Sequence, residues 1–285
     1  MNTIIIVDFS QTMISNLMVA LGNHTNTDVD TNLLRHMILN CLRSYNKKFS
    51  NNFGEMIIAC DDMNYWRKDV FPYYKANRRK NRDESELNWK AIFESLNMIR
   101  DEIKNHFHYR VIHVSRAEAD DIIGTLVKNF YANESILLLS GDKDFGQLHG
   151  YPGVQQYDPT RDKWIKIENP RMFLKEHIIR GDGGDGIPNF LSQDDSFVAK
   201  VRQKSIMQKK LDEWLYMEPE EFCDEASLRR FQRNKILIDL NHIPDEISSV
   251  ILEEFENQSG KDKSKLFDYF MKNSLKHHMK NIGEF

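Results

Sequence analysis

Short apolar runs that alternate with helical patterns are the feature that most constrains how this chain can fold. The strand-like runs cover residues 3–7, 56–60, 109–114 and 135–139. The helical patterns cover residues 10–21, 31–49, 85–106 and 117–131. Strands that alternate with helices in this way pair in parallel, and the connecting helices cover both faces of the sheet. We therefore predict an α/β fold with a mostly parallel central sheet and helices on both faces.

The composition is typical of a soluble globular protein. The 285 residues are 40% hydrophobic and 29% charged, which allows one large or two modest domains with a real core. The longest apolar run near the N-terminus, residues 4–7, is too short for a signal peptide or a membrane span. The three cysteines are scattered without a Cys-x-x-Cys motif, so we expect neither a zinc site nor a disulfide framework, as in a reducing cytoplasm. Past residue 181 the pattern becomes mostly helical.

Carboxylates follow the predicted strands at the point where each strand ends. Asp8, Asp61 and Asp142 come just after three of the strands. Glu118, Asp120 and Asp121 follow the remaining strand by a few residues. A single Asp after a strand is usually a turn or a helix cap, but ligands of open parallel sheets bind at the carboxyl ends of the strands. Six converging acids would repel one another, and oxygen ligands without thiolates favour Mg²⁺ or Mn²⁺ over zinc.

The stretch from residue 115 to residue 123 has two interpretations. Ser115 and Glu118 match a capping box, and acids at a helix N-terminus complement the helix dipole. The same three carboxylates within four residues also suit a metal site. This stretch by itself does not decide between them.

Two loops add further acids. Asp142 and Asp144 lie two residues apart, and Gly141 permits a tight turn between the strand and the loop. The loop 181–189 contains Asp182 and Asp185 among four glycines. This loop is either a flexible turn or a cradle of backbone amides for phosphate, with both acids turned toward metal.

Basic residues are concentrated locally, although the net charge is −4. Residues 66–82 contain seven Lys or Arg and one acid, and aromatic side chains are interleaved with them. Residues 199–210 contain five basic residues and no acid. Such segments are either solvated surface or, beside a metal cluster, contacts for a phosphate backbone and for stacked bases.

The acidic motifs, taken together, resemble a known family. The matching segments are residues 7–10, 60–61, 65–69, 73–75, 117–121, 140–145, 181–185, 238–239 and 243–245. They are similar to the structure-specific 5′ nuclease superfamily, which includes flap endonucleases and the 5′-nuclease domain of bacterial DNA polymerase I. Within it the chain is most similar to the ribonuclease H branch of T-even-type bacteriophages. The likeness runs nearly end to end.

The resemblance implies a domain organisation and roles for particular residues. An α/β nuclease core would cover residues 1–180 and include a helical arch at about 66–88. A helical duplex-binding domain, residues 181–285, would begin with a helix–three-turn–helix element. One metal group would comprise Asp8, Asp61, Glu118, Asp120 and Asp121, and a second Asp142, Asp144, Asp182 and Asp185. Asp8, Asp61, Glu118, Asp120 and Lys75 would be catalytic. Nucleic acid would be contacted by Arg67, Tyr73, Tyr74, Lys75, Arg78, Arg79, Lys80, Gly183, Gly184, Gly186, Lys200, Arg202 and Lys204.

The resemblance also implies a function. The chain would be a 5′→3′ exonuclease and flap endonuclease with ribonuclease H activity, which removes RNA primers during phage lagging-strand replication in the cytoplasm of the infected bacterial host. Its cofactors would be two Mg²⁺ ions, for which Mn²⁺ could substitute. The loop 181–189 would be a candidate site for a monovalent cation. Its partners would be 5′-flap or nicked duplex DNA, RNA·DNA hybrid, the phage single-strand-binding protein and the sliding clamp, but no membrane, and it would act as a monomer. The alternatives are a non-catalytic junction-binding protein and a PIN-type ribonuclease.

Overall fold

The computed structural model describes residues 2–22, 30–83, 85 and 87–285, and within them six strands form one sheet. The strands are β1 (Asn2–Asp8), β2 (Glu55–Cys60), β3 (Arg110–His113), β4 (Glu134–Leu139), β5 (Val154–Asp158) and β6 (Lys163–Ile165). Their order across the sheet is β3-β2-β1-β4-β5-β6. The first five pair in parallel and only β6 is antiparallel. The predicted α/β fold with a mostly parallel sheet is therefore confirmed.

Helices connect the strands and form most of the chain beyond them. The helices are α1 (Phe9–Leu21), α2 (Thr31–Phe53), α3 (Arg67–Val70), α4 (Ala76–Asp83), α5 (Trp89–His106), α6 (Ala119–Phe130), α7 (Pro170–Arg180), α8 (Gln208–Trp214), α9 (Pro219–Phe222), α10 (Glu225–Ile238), α11 (Asp245–Asn257), α12 (Leu266–Lys272) and α13 (Lys276–Lys280). Three 3₁₀ helices cover Lys143–Gly150, Leu240–His242 and Ile282–Glu284. No helix in the described part of the chain is long and apolar enough to cross a membrane.

The ends of several helices follow from their capping residues. Asp8 caps α1 and Asp30 caps α2, each through a carboxylate that accepts a hydrogen bond from a backbone N–H of the first turn. Helix α2 ends at Phe53, four residues later than predicted, and is followed by Gly54, whose φ of 68° is in the left-handed region. A Cβ atom at Gly54 would lie 2.5 Å from the backbone oxygen of Thr3, so glycine is required there.

Alternate residues of the central strands pack into two different hydrophobic cores. Ile5 and Val7 face a core that contains residues of α1, α2 and α5. Ile4 and Ile6 face the opposite side, where residues of α6 and α11 cover them. Side chains alternate between the two faces of a strand, so strands that are apolar on both faces must be covered on both.

The C-terminal residues contribute to both of these cores. Tyr269, Phe270 and Phe285 belong to the first core, and Ile247 and Ile251 belong to the second. A third core joins the segment after β2 to residues beyond α7, with Phe71 and Tyr74 against Ile178, Phe190 and Leu237. The expected division at residue 180 stays a prediction, and residues beyond it help to cover the sheet.

This packing predicts that the C-terminal helices stabilise the sheet. We expect Ile251→Ala to lower the free energy of unfolding by about 2–5 kcal/mol, because Ile251 is fully buried against the sheet core. The neighbouring Val250 is 47% exposed, so Val250→Ala is a matched control with a much smaller effect. Urea unfolding of both variants measures these changes in the free energy of unfolding. Equal changes would contradict the packing of Ile251 against the sheet.

Candidate metal centre

Eight carboxylates line one cleft at the carboxyl edge of the sheet, and the cleft has a volume of about 820 Å³. Seven of them are predicted ligands, namely Asp8, Asp61, Asp120, Asp142, Asp144, Asp182 and Asp185, and the eighth is Asp62. Strands β2, β1 and β4 are neighbours, so the acids that end them meet at one edge. The structure thus brings most of the predicted acids together.

The strand-end acids also cap backbone groups. The carboxylate of Asp8 accepts hydrogen bonds from the backbone N–H of Gln11 at 3.2 Å and from the hydroxyl of Ser140 at 3.0 Å. Asp61 accepts one from the N–H of Ala119 at 2.9 Å. A carboxylate has two oxygens, so capping by one of them does not prevent metal binding by the other.

The capping box of α6 lies three residues later than predicted. Glu118 is the N-cap, and the carboxylate of Asp121 accepts a hydrogen bond from the Glu118 backbone N–H at 2.9 Å. Ser115 is exposed and precedes the helix. The sequence allowed both assignments because acids occupy positions compatible with either register.

Asp121 does not reach the cleft. It is fully buried, and its oxygens contact the guanidinium of Arg67 at 2.8 Å and the indole N–H of Trp66 at 3.1 Å. Consecutive helical residues point about 100° apart, because a helix turns once in about 3.6 residues. Asp120 therefore faces the cleft, whereas Asp121 faces the protein interior.

Glu118 is buried among cations rather than lining the cleft. One of its oxygens accepts hydrogen bonds from Arg67 and from the hydroxyl of Tyr74, both at 2.9 Å, and the other contacts Lys75 Nζ. Arg67 and Tyr74, which the resemblance assigns to nucleic acid, are 2% and 3% exposed. A buried carboxylate requires such partners, and this requirement places both side chains inside.

The cleft acids carry unbalanced negative charge. Burial, together with Asp61 and Asp142, raises the pKa of Asp8 to about 8. Burial and Asp142 raise the pKa of Asp144 to about 7, and the same two causes raise the pKa of Asp120 well above its usual range. Burial would lower the pKa of Lys75, but attraction to Asp185 and Glu118 outweighs it and raises that pKa.

The second acid group includes a histidine that the sequence did not indicate. His177 lies in the last turn of α7, and its Nε2 is 3.0 Å from Asp182 Oδ2. Its Nδ1 is 3.6 Å from Asp144 Oδ1. The three residues form a group whose ligand atoms all lie within 4.8 Å of one another, as a metal site requires. The spacing of the histidines along the sequence did not indicate a metal ligand. Only the position of His177, five residues before Asp182, could have suggested that it lies near the acids.

The amides of the glycine-rich loop are largely used inside the protein. The N–H groups of Gly184 and Asp185 donate to Asp182 Oδ1 at 2.7 and 3.2 Å. Gly183 and Gly184 are exposed, but Gly186 is buried with a φ of 71°, and a Cβ there would lie 3.1 Å from the backbone oxygen of Tyr73. The amides of Gly184 and Asp185, which were expected to cradle phosphate, thus hold an acid in place.

The remaining predicted nucleic-acid contacts whose side chains the structure describes lie on the surface. Tyr73 and Arg78 are exposed, and Arg78 Nε donates to the Gly184 oxygen at 3.0 Å. Three other predicted contacts, Lys200, Arg202 and Lys204, are exposed between α7 and α8. The side chains of Arg79 and Lys80 lie outside the part of the chain that the structure describes.

The cleft fits a divalent cation on structural grounds. Asp144 Oδ1 and His177 Nδ1 are buried and have no hydrogen-bond partner among the described residues. Unpaired buried polar atoms are costly, and a cation that accepts lone pairs from both would remove this cost. Seven further carboxylates line the same cleft as Asp144.

Comparisons with known proteins cover the whole chain. Residues 3–177 match the family model described as 5′-3′ exonuclease, N-terminal resolvase-like domain, and residues 169–285 match T4 RNase H, C terminal. Ribonuclease H of Enterobacteria phage T4 is 33% identical to this chain over 294 residues, covering 99% of this chain and 95% of that protein.

Solved structures of bacteriophage T5 proteins share the fold. A T5 protein co-crystallised with metal ions has a TM-score of 0.64 at 17% identity, covering 90% of this chain and 99% of that one. A T5 flap endonuclease in a pseudo-enzyme–product complex with DNA and metal ions has a TM-score of 0.63 at 18% identity, covering 89% and 99%. Both of these structural neighbours contain metal ions, and this chain has an acidic group suited to one.

The raised pKa values predict how stability depends on pH. The folded state retains a proton on Asp8 up to about pH 8, whereas the unfolded chain releases it near pH ~4. Between these values the carboxyl destabilises the fold as pH rises, by up to about 1.4 kcal/mol per pH unit. In EDTA, Asp8→Asn should therefore gain stability relative to wild type from about pH 5 to about pH 8. Urea unfolding at both pH values measures the difference.

Added Mg²⁺ should reduce this difference, since a bound cation stabilises the ionised carboxylate. The exposed Asp268 is distant in sequence from the cleft acids, and Asp268→Asn serves as the control with no such pH trend. A difference between Asp8→Asn and wild type that shrinks as pH rises would contradict the charge assignment.

Proposed function

The chain belongs to the 5′-3′ exonuclease family, and on that basis we propose that it is a metal-dependent 5′→3′ exonuclease and flap endonuclease acting on RNA·DNA and DNA·DNA duplexes. The observation that carries this proposal is the cleft in which acids from three neighbouring strand ends meet acids from two loops. Basic segments border the same cleft, with Lys68, Lys75, Arg78 and Arg82 in its lining.

Two Mg²⁺ ions are the proposed cofactors, with Mn²⁺ as a substitute and a monovalent cation at the loop 181–189. Two bound metals supply a hydroxide nucleophile and stabilise the leaving oxygen in phosphodiester hydrolysis. Asp8, Asp61 and Asp120 would hold one ion, because their carboxylates line the cleft. A second set, Asp142, Asp144, Asp182 and Asp185, would hold the other.

Glu118 and Asp121 have a different role in this proposal from the one the resemblance implied. They hold Arg67, and Glu118 also orients Lys75, whose side chain is 12% exposed and lines the cleft. Lys75 would then direct its ammonium group toward the reacting phosphate and stabilise the charge that develops there. The backbone N–H of Lys75 donates to the backbone oxygen of Asp185 at 2.7 Å, which attaches the segment after β2 to the loop 181–189.

The proposed substrates are 5′-flap or nicked duplex DNA and RNA·DNA hybrids. Exposed Tyr73 suits stacking on a base, and exposed Lys200, Arg202 and Lys204 suit the backbone of the duplex. The proposed role is removal of RNA primers during phage lagging-strand replication, by a monomer in the cytoplasm of the infected host. The phage single-strand-binding protein and sliding clamp are the proposed protein partners.

Two other functions are less well supported. A PIN-type ribonuclease needs only the smaller α/β fold, whereas residues 169–285 of this chain match a second family model. A non-catalytic junction-binding protein needs no cluster of acids whose charge is unbalanced. Cleavage of a labelled 5′-flap substrate with and without divalent metal separates the three functions.

Two substitutions test the metal assignment. We expect Asp120→Asn and Asp142→Asn each to lower flap cleavage by at least about 10²–10³-fold, the scale of removing one stabilising group in a hydrolase. Duplex binding should survive because the basic surfaces are unchanged. Asp268→Asn is the control, since Asp268 is an exposed acid in α12.

Single-turnover cleavage and binding to the same labelled flap measure both effects. Near-normal turnover in both variants would exclude the two-metal assignment. Binding without cleavage by wild type in Mg²⁺ and in Mn²⁺ would favour the junction-binding alternative.

The basic run between α7 and α8 is tested by the salt dependence of binding. Replacing Lys200, Arg202 and Lys204 by Ala should weaken binding to all duplex sequences about equally. It should also flatten the slope of log affinity against log salt by up to ~0.9 per lost phosphate contact. Replacing exposed Lys272, Lys276 and Lys280 is the matched control. If the variant without Lys200, Arg202 and Lys204 keeps the salt slope of the wild type, these residues do not contact the duplex, which then binds at another surface.

A further inference from the structure

His177 is a buried imidazole beside two acids of the cleft lining, Asp144 and Asp182. It is 7% exposed, and its two ring nitrogens face different acids. Nε2 lies 3.0 Å from Asp182 Oδ2, which is hydrogen-bonding distance, whereas Nδ1 lies 3.6 Å from Asp144 Oδ1, which is too far for a hydrogen bond. Neither Nδ1 nor Asp144 Oδ1 has a hydrogen-bond partner in the described part of the chain.

The hydrogen bond at Nε2 determines which nitrogen is free to bind a metal. When the imidazole is neutral, as metal binding requires, a hydrogen bond from Nε2–H to Asp182 Oδ2 leaves the lone pair of Nδ1 directed toward Asp144. Metal-binding histidines characteristically donate their other N–H to a carboxylate in this way, which orients the ring and raises its basicity.

Asp182 is held for this orienting role. Its Oδ1 accepts from the backbone N–H groups of Gly184 and Asp185, and its Oδ2 also lies 3.1 Å from Lys143 Nζ. These contacts restrain the carboxylate that orients His177. Gly184 and Asp185 thus contribute to the geometry at Nδ1 through their backbone.

The separation of Nδ1 and Oδ1 fits an ion between them. Ligand atoms about 2.0–2.2 Å from a shared ion lie 3.6 Å apart when the angle at the ion is about 120°, as four- and five-coordinate ions allow. Imidazole nitrogen favours first-row transition metals, whereas Mg²⁺ favours oxygen.

We propose that His177 Nδ1 and Asp144 Oδ1 together ligate a divalent first-row transition-metal ion, and that this histidine makes the second acid group prefer such an ion to Mg²⁺. The inference rests on the proposed function in placing a metal among these acids. For the second acid group it replaces Mg²⁺ by a transition-metal ion, and it gives Asp182 the role of orienting His177 in place of a ligand role. It names a nitrogen ligand for a cleft that the sequence presents as an all-oxygen site.

Pulsed electron paramagnetic resonance of bound Mn²⁺ tests the proposal directly. Purified full-length protein is given one equivalent of Mn²⁺ without nucleic acid, and the spin echo is examined for modulation by an imidazole ¹⁴N nucleus. We expect this coupling in wild type. It should be lost in His177→Gln, in which the side-chain amide keeps a donor near the Nε2 position but removes the Nδ1 ligand.

Titration calorimetry gives the second readout. Mn²⁺ affinity should fall by about 10–100-fold in His177→Gln, while Mg²⁺ affinity should change less. His242→Gln is the matched control, because His242 also lies beside an aspartate, 3.7 Å from Asp239, but is 39% exposed and lies outside the group formed by Asp144, His177 and Asp182. It should keep both the nitrogen coupling and the Mn²⁺ affinity.

The wild-type spectrum decides the proposal even where a variant fails to fold. Absence of ¹⁴N coupling in wild type would overturn it and would assign the contact to an ion pair between a protonated His177 and Asp144. Unchanged Mn²⁺ affinity in folded His177→Gln would also overturn it. The ¹⁴N coupling is measured without substrate, so it does not depend on cleavage. The proposed function would fail in a different experiment, namely if the protein cleaved no flap substrate with any divalent metal.

Discussion

Repulsion among carboxylates gathered at one edge of a parallel sheet is the constraint on which the rest of the structure depends. Parallel pairing of β2, β1 and β4 brings Asp8, Asp61 and Asp142 to the same edge, because each acid follows the carboxyl end of its strand. Partial burial strengthens their repulsion, since little water screens it. The raised pKa of Asp8 shows the cost.

The protein balances this charge in two different ways on the two sides of α6. On the interior side, Glu118 and Asp121 are neutralised by Arg67 together with Lys75. On the cleft side, Asp120 faces other acids and has raised pKa for that reason as well as burial. The negative charges on the interior side of α6 are therefore nearly balanced by cations of the chain, whereas those on the cleft side are not. This suits a cleft that binds cations from solution.

The packing around the cleft connects metal-binding and substrate-binding segments. Asn77 and Arg78 donate hydrogen bonds to the backbone oxygens of Gly183 and Gly184, in the loop that also carries Asp182. The third hydrophobic core lies beneath these contacts. The segment after β2 and the loop 181–189 therefore pack against the same core and are joined by hydrogen bonds.

The sequence by itself determined the sheet and the convergence of acids, because alternating strands and helices dictate parallel pairing and parallel pairing brings strand ends together. It missed β5 and β6, which are short, and the polar run of β5 lacks the apolar pattern of the central strands. Only the tertiary structure decided that Asp120 faces the cleft while Asp121 faces Arg67, and that Arg67 and Tyr74 are buried. It also decided that His177 meets Asp144, 33 positions away in the chain. These outcomes depend on which side chains neutralise one another across distant segments, and that information is absent from local spacing.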